Sequence, residues 1–237
     1  AGTAKTYTTQ YNPDLGFAII KYTGNGTAAH TIPLPTMTDD KAPFMVIVKP
    51  LTDAYSWIVY HQNADATIPQ NKYLVLNSTV AVNDNTVYWN DTAPTSSIFT
   101  LGTGVGVNGN TKEFVAYVFW ETDFCKPINY TGNGSADGAF SNLGGSCEFS
   151  LIKNTATTHN WFMMDSARDP YNPISNTQSP NSSAVDSPSG NEVDFVSNGY
   201  KCRVTGAGTN GSGNTIIGIA FVSPEPDSKD GAQLRAK

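Results

Sequence analysis

One five-residue string occurs twice in this chain. Tyr22-Thr-Gly-Asn-Gly26 returns letter for letter as Tyr130-Thr-Gly-Asn-Gly134, followed each time by a small hydroxyl residue and alanine, Thr27-Ala28 and Ser135-Ala136. The two strings lie 130 − 22 = 108 residues apart. Val46-Ile-Val-Lys49 then matches Ser150-Leu-Ile-Lys153, and a tryptophan follows each lysine eight residues later, Trp57 and Trp161, at an offset of 161 − 57 = 104. Val115-Ala-Tyr-Val-Phe119 aligns with Ile217-Gly-Ile-Ala-Phe221 at 217 − 115 = 102. An offset that drifts by a few residues is what loop insertions and deletions produce. The pattern predicts one domain of about 100 residues present in two tandem copies. Their expected spans are 17–124 and 125–223, with 1–16 as an N-terminal linker or arm and 224–237 as a polar tail.

Composition decides what each copy is made of. Charged residues are 14% of the 237, against about 25% in an average soluble domain, so the Glu and Lys that sustain exposed helices are scarce. The expected fold class is therefore all-β, two tandem β-sandwich domains related by internal duplication. In the first copy, short runs of β-branched and aromatic residues bounded by turn residues predict strands at Phe17–Tyr22, Phe44–Lys49, Tyr55–His61, Lys72–Asn77, Thr86–Asn90, Ser97–Leu101 and Glu113–Glu121. Seven strands in such a length is a sandwich count. The second copy predicts Lys126–Tyr130, Glu148–Lys153, Asn160–Asp165, Val193–Ser197, Tyr200–Thr205 and Thr215–Val222. Met45–Val48 is continuously apolar between Pro43 and Pro50, which predicts a central strand buried on both faces. Trp57 and Trp161, at matching places, are expected in the cores. Asn108-Gly-Asn110 and Asn210-Gly-Ser-Gly-Asn214 read as hairpin-turn chemistry, because Asn and Gly accept positive φ.

Charge narrows the partners. A net charge of −6 and a pI near 4.9 argue against nucleic acid and anionic membranes, both of which attract Lys and Arg. The longest apolar runs, Phe114–Trp120 and Ile216–Val222, have seven residues each, whereas a membrane helix takes about twenty. The first residues lack the apolar stretch of a signal peptide and an initiator methionine, which reads as a processed chain or an excerpt. Cys125, Cys147 and Cys202 fit no metal-ligand spacing and are expected to be small buried thiols of a chain folded in a reducing compartment.

No catalytic constellation emerges, so the chain reads as non-enzymatic, with neither metal nor cofactor. His61 follows one Trp strand and His159 precedes the other, so they are not one duplicated site. Gly102–Gly106 is glycine-rich without the Lys-Ser/Thr of a phosphate loop, and Val82–Asn85 is not a full calcium-ligand pattern. Asp165 and Asp169 are a nearby carboxylate pair, but Arg168 between them reads as an ion-paired brace. The largest difference between the copies is Ala167-Arg-Asp-Pro-Tyr-Asn-Pro173 with the Asn/Ser/Pro-rich stretch 175–191, expected to be a long polar loop. Such loops on rigid scaffolds commonly carry recognition.

Several strings taken together resemble a known family. They are the two Tyr-Thr-Gly-Asn-Gly segments, Asn90-Asp-Thr-Ala-Pro-Thr-Ser-Ser-Ile-Phe-Thr-Leu-Gly102, Val115–Phe119, Ala167–Pro173 and Val193-Asp-Phe-Val-Ser-Asn-Gly-Tyr-Lys201. Across roughly residues 12 to 223 the chain is similar to tandem β domains of tailed-bacteriophage virion structural proteins, many marine or cyanobacterial and commonly labelled tail fibre. The resemblance implies a virion-surface protein, on tail or head, assembled in the host cytoplasm with other virion proteins, and a homo-oligomer, trimeric if a fibre. A tail-fibre or receptor-binding component is the first expectation. Its contacts with a host-surface glycan or protein would fall on Arg168, Asp169, Tyr171 and Asn172, with Tyr88 and Trp89. The alternatives are a capsid decoration or other head-surface protein and, third, a glycan depolymerase using Asp165 and Asp169.

Overall fold

Alternation along the second strand shows how the sheets are laid down. In Phe17–Thr23, Ala18, Ile20 and Tyr22 are buried while Ile19 and Lys21 are exposed, so one face of a pleated strand turns to a core. A computed structural model of the chain describes residues 7–224. They form antiparallel sheets joined by turns, three one-turn α-helices and a 3-10 turn at Pro69–Asn71. The fold is all-β. Two compact units divide the chain, the first running to Asn77 and resuming at Val82–Glu121, the second made of Ser78–Ala81 and the chain from Thr122.

The first unit contains β1 (Thr8–Asn12), β2 (Phe17–Thr23), β3 (His30–Pro33), β4 (Met45–Pro50), β5 (Ile58–His61), β6 (Lys72–Val75), β7 (Asn83–Asp84), α1 (Thr86–Trp89), β8 (Ile98–Leu101), α2 (Val105–Asn108) and β9 (Glu113–Phe119). Seven strands make one sheet in the order β1-β2-β9-β4-β5-β6-β7, and β3 pairs with β8. Core side chains come from both, with Ile20, Val46, Val48, Phe114 and Val118 of the large sheet packed with Ile32, Phe99 and Leu101 of the small one. Met45–Val48 lies between β9 and β5 with all four residues buried, as continuous apolarity predicts.

The second unit contains β10 (Cys125–Thr131), β11 (Phe140–Asn142), β12 (Gly145–Asn154), β13 (Trp161–Asp165), β14 (Ile174–Thr177), β15 (Ser187–Val196), β16 (Gly199–Cys202), α3 (Ala207–Asn210) and β17 (Thr215–Pro224). Its sheets, β10-β17-β12-β13 and β11-β16-β15-β14, enclose one core of residues such as Ile128, Ile152, Met164, Val193, Phe195, Tyr200 and Ile216. The order β10-β17-β12-β13 repeats β2-β9-β4-β5 of the first unit.

Several expectations need correction. Thr86–Asn90 is a helical turn rather than a strand. The Asn85 side chain accepts from Val87 N at its start, and Asn90 ends it in the left-handed region at φ 53°. Asparagine satisfies orphan backbone groups at both ends, which outweighs the β propensity of Val87 and Tyr88. The stretch 175–191, read as a loop, contributes β14 and the first half of β15. The arm 1–16 contains β1, antiparallel to β2; its first six residues, and the tail beyond Pro224, lie outside the described residues. Trp161 is 1% exposed, whereas Trp57 precedes β5, is half-buried and stacks on Tyr117 at 6.1 Å. The three cysteines are buried, and none is in a disulfide among the described residues.

Candidate functional site: the Arg168–Pro173 loop and its supports

The loop between β13 and β14 is braced from inside by its own polar side chains. Asp165, the last residue of β13, accepts from Arg168 N at 2.9 Å through Oδ1 and from Arg168 Nε at 2.6 Å through Oδ2. Arg168 Nη1 pairs with Asp186 Oδ1 at 3.0 Å, and Nη2 donates to Met163 O at 3.3 Å. Asp169 Oδ2 takes Ser175 N at 2.7 Å, Asn176 N at 3.0 Å and Ser175 Oγ at 3.3 Å. Partial burial pushes both carboxyls up, but these hydrogen bonds outweigh it and hold Asp165 and Asp169 below the ordinary carboxylate value of 3.8. Both carboxylates are anions spent on the loop itself.

Asn172 plays the part of a strand. Its Oδ1 accepts from Phe195 N at 2.9 Å and its Nδ2 donates to Phe195 O at 2.8 Å, the two bonds that a backbone neighbour would make to β15. The Asn172–Pro173 peptide is cis. Between the two clamps stands Tyr171, 80% exposed. Of the four loop residues singled out in the sequence, then, three hold the loop and one faces solvent.

Tyr88 and Trp89 are elsewhere, on α1 of the first unit. Tyr88 packs against Tyr73 with ring centroids 4.3 Å apart and belongs to the wall of the core. Trp89 is 1% exposed and meets Tyr60 edge-on at 5.8 Å. Trp89 is therefore a core residue and not the surface contact expected of it, because the helical turn that replaces the expected strand rotates it inward.

What sequence reasoning missed is the partner of the repeated string. Asn108, fully buried at the end of α2, accepts from Asn25 N at 2.9 Å through Oδ1. Its Nδ2 faces three oxygens, Gly102 O at 2.7 Å, Thr27 O at 2.9 Å and Asn25 Oδ1 at 3.2 Å. Asn210, at the end of α3, does the same with Asn133 N at 3.0 Å, Ser135 O at 2.7 Å, Val204 O at 2.8 Å and Asn133 Oδ1 at 3.1 Å. The repeated string is therefore one half of an asparagine hub. Its first glycine is needed for close approach, since a Cβ on Gly24 or Gly132 would stand 2.3 Å from Gly109 O or Gly211 O, and its second lies at φ +69° in Gly26 and +67° in Gly134. The hubs differ at one point. His30 Nδ1 lies 2.8 Å from Asn108 Oδ1, whereas Gly138, at the matching offset, leaves no room for a side chain beside Asn210 Nδ2. The available signal was that Asn108 and Asn210 are 210 − 108 = 102 residues apart, the offset of the strands that follow them.

Lys153 was also missed. It is fully buried, and its Nζ donates to Thr79 O at 2.9 Å and to His159 O. Burial pushes its pKa down to about 8. Lys49, its counterpart, makes the matching bond to Tyr55 O at 2.8 Å in a more exposed setting.

Among the described residues, no helix is long and apolar enough to cross a membrane. The family described as "Domain of unknown function (DUF7483)" matches residues 2–225. No curated protein is similar to the chain. A solved structure titled "Crystal Structure of the STIV MCP" shares 12% identity, with 98% of this chain and 96% of that one covered, at a TM-score of 0.28. At that score it bears on neither the fold nor the function of this protein.

Proposed function

We propose that this chain, which belongs to the DUF7483 domain family, is a non-enzymatic structural component of a bacteriophage virion, and within the particle a tail-fibre or receptor-binding part. The sequence resemblance supplies the setting. The observation that carries the reading is the division of labour in the 168–173 loop: Asp169 and Asn172 clamp the backbone on either side of Tyr171, whose ring is 80% exposed. A rigidly presented tyrosine offers contact area at small entropic cost, which is how adhesive surfaces are built. The two carboxylates a glycan depolymerase would require are both consumed in bracing the loop, so that alternative has less to stand on.

A capsid decoration or other head-surface protein is the second reading, because a braced aromatic loop serves attachment to a shell as well as to a host. Immunogold electron microscopy of intact phage with an antibody to this chain separates the two. Label on the tail or its fibres, together with competition of host adsorption by purified protein that Tyr171→Ala abolishes, is the expected result. Label over the head replaces it with the decoration reading, and no label on the particle overturns both.

A further inference from the structure

The edges of corresponding sheets are finished differently in the two units. In β2, Trp120 N donates to Gly16 O and Gly24 N to Lys112 O, each at 2.8 Å, at the two ends of its ladder with β9. Antiparallel pairs alternate, so residues 18, 20 and 22 bond to β9 and residues 17, 19 and 21 bond to β1, whose register is Thr8↔Lys21, Gln10↔Ile19 and Asn12↔Phe17. In the second unit, Val222 N donates to Phe124 O at 2.8 Å and Gly132 N to Asn214 O at 2.9 Å. The same count turns residue 127 outward from β10, the strand that ends its sheet. Ile19 stands where the second unit has Pro127, 127 − 19 = 108 residues later. Proline has no N–H to offer, a common way of closing an edge to pairing.

The edge of β1 has no such protection. Among the described residues it ends the seven-stranded sheet, its ladder with β2 runs in unbroken register, and Tyr7–Asn12 contains neither proline nor charge. Its even residues bond to β2, so the N–H and C=O groups of Tyr7, Thr9 and Tyr11 point out from the sheet.

We propose that β1 is a self-pairing edge, through which two copies of this chain join antiparallel across a two-fold axis at Thr9. The pattern Tyr7-x-Thr9-x-Tyr11 reads alike in both directions. Centred on Thr9, antiparallel pairing sets Thr9 opposite Thr9 of the second copy in a hydrogen-bonded pair, and each Tyr7 opposite a Tyr11. Those tyrosines are 45% and 53% exposed and meet as cross-strand aromatic pairs. The contact is isologous, as a two-fold dimer requires. Copies of a chain with net charge −6 repel each other in general, and an uncharged strip is where two of them can meet without bringing like charges into contact. A strand this short covers less than the roughly 1,200 Å² of a stable interface. The dimer therefore forms at high local concentration, the condition met on a particle surface. The inference holds whether the protein sits on tail or head.

Sedimentation velocity across a dilution series is the first test, with weight-average mass expected to rise with concentration in the wild type and to stay monomeric in Thr9→Lys, which sets two ammonium groups on the axis. Thr9→Cys is the second. The Thr9 hydroxyl has no hydrogen-bond partner among the described residues, and a hydrogen-bonded antiparallel pair holds Cα atoms about 5.5 Å apart, within disulfide reach. Mild oxidation is expected to give a covalent dimer of Thr9→Cys and not of Val185→Cys, whose site is 84% exposed. A wild type that stays monomeric throughout, self-association that survives Thr9→Lys, or cross-linking no faster at residue 9 than at 185 would each overturn the proposal. Should Thr9→Lys fail to fold, the cysteine comparison decides.

Discussion

Tyr22 and Tyr130 make the same bond in their separate units: each phenol donates at 2.7 Å to a buried carbonyl, Val107 O and Thr209 O, just ahead of the hub asparagine. Removing the hydroxyl takes from Val107 O its phenol donor and leaves Thr209 O only the weak Cys202 thiol donor at 3.5 Å, so Tyr22→Phe and Tyr130→Phe should each cost about 1–3 kcal/mol, read as a lower urea midpoint. Burial raises both phenols well above 10. Their neutral form is favoured in the native state, so the stability they provide is complete below the unfolded value and lost as pH rises above about 10.

Asn108 should tolerate aspartate no better than alanine. The alanine variant leaves buried donors and acceptors unpaired, whereas Asn108→Asp places an oxygen against Gly102 O, Thr27 O and Asn25 Oδ1. A loss of about 3–5 kcal/mol is expected for each, seen as a lowered melting temperature or failure to accumulate folded protein. Equality of Asn108→Asp with wild type would mean that the three oxygens are not held as described.

Lys153 gives the protein a basic arm to its stability profile. Its pKa near 8 lies below the ordinary 10.5, so between about pH 8 and 10 the unfolded chain binds a proton that the native one has released. Stability then rises with pH, by at most about 1.4 kcal/mol per pH unit. Chemical denaturation of wild type and Lys153→Met across this window checks it, and the rise should vanish in the variant.

Asp165 governs the acid side. Its carboxyl is held below 3.8 although partial burial opposes this, so its contribution is complete above about pH 4 and is lost as pH falls through the lower native value. The pair with Arg168 is about a quarter exposed on each side, which limits the cost of Asp165→Asn to about 1 kcal/mol. Its acid unfolding limb should be shallower than that of the wild type.

The repeated string was legible in sequence because its letters are identical 108 residues apart, and the central burial of Met45–Val48 followed from unbroken apolarity. The hub was not legible as a hub. Asn108 and Asn210 sit in short glycine-flanked stretches that spell a turn, and only the close approach of Gly24 to Gly109 O and of Gly132 to Gly211 O brings the halves together. Trp89 misled for a local reason: the β-branched and aromatic run Val87-Tyr88-Trp89 reads as a strand, and two capping asparagines convert it to a turn of helix. The braced loop was half legible. Arg168 between two aspartates announced an ion pair, but nothing along the chain tells that Asn172 reaches across to the backbone of Phe195.

Asn108 and Asn210 are each followed by glycine, and so are Asn25 and Asn133. In a flexible chain the backbone nitrogen of such a glycine readily attacks the asparagine side-chain amide carbon, expelling ammonia, and water then opens the resulting cyclic imide to aspartate or its isoaspartyl isomer. Native packing restrains that attack at the hubs, where Asn108 Nδ2 and Asn210 Nδ2 are each bonded to three oxygens. An unfolded molecule has no such restraint, and once an aspartate has formed there the hub cannot be rebuilt. Age is thus written into this protein chemically: the time a molecule has spent unfolded accumulates as a one-dalton mass gain at the asparagines it needs for folding again.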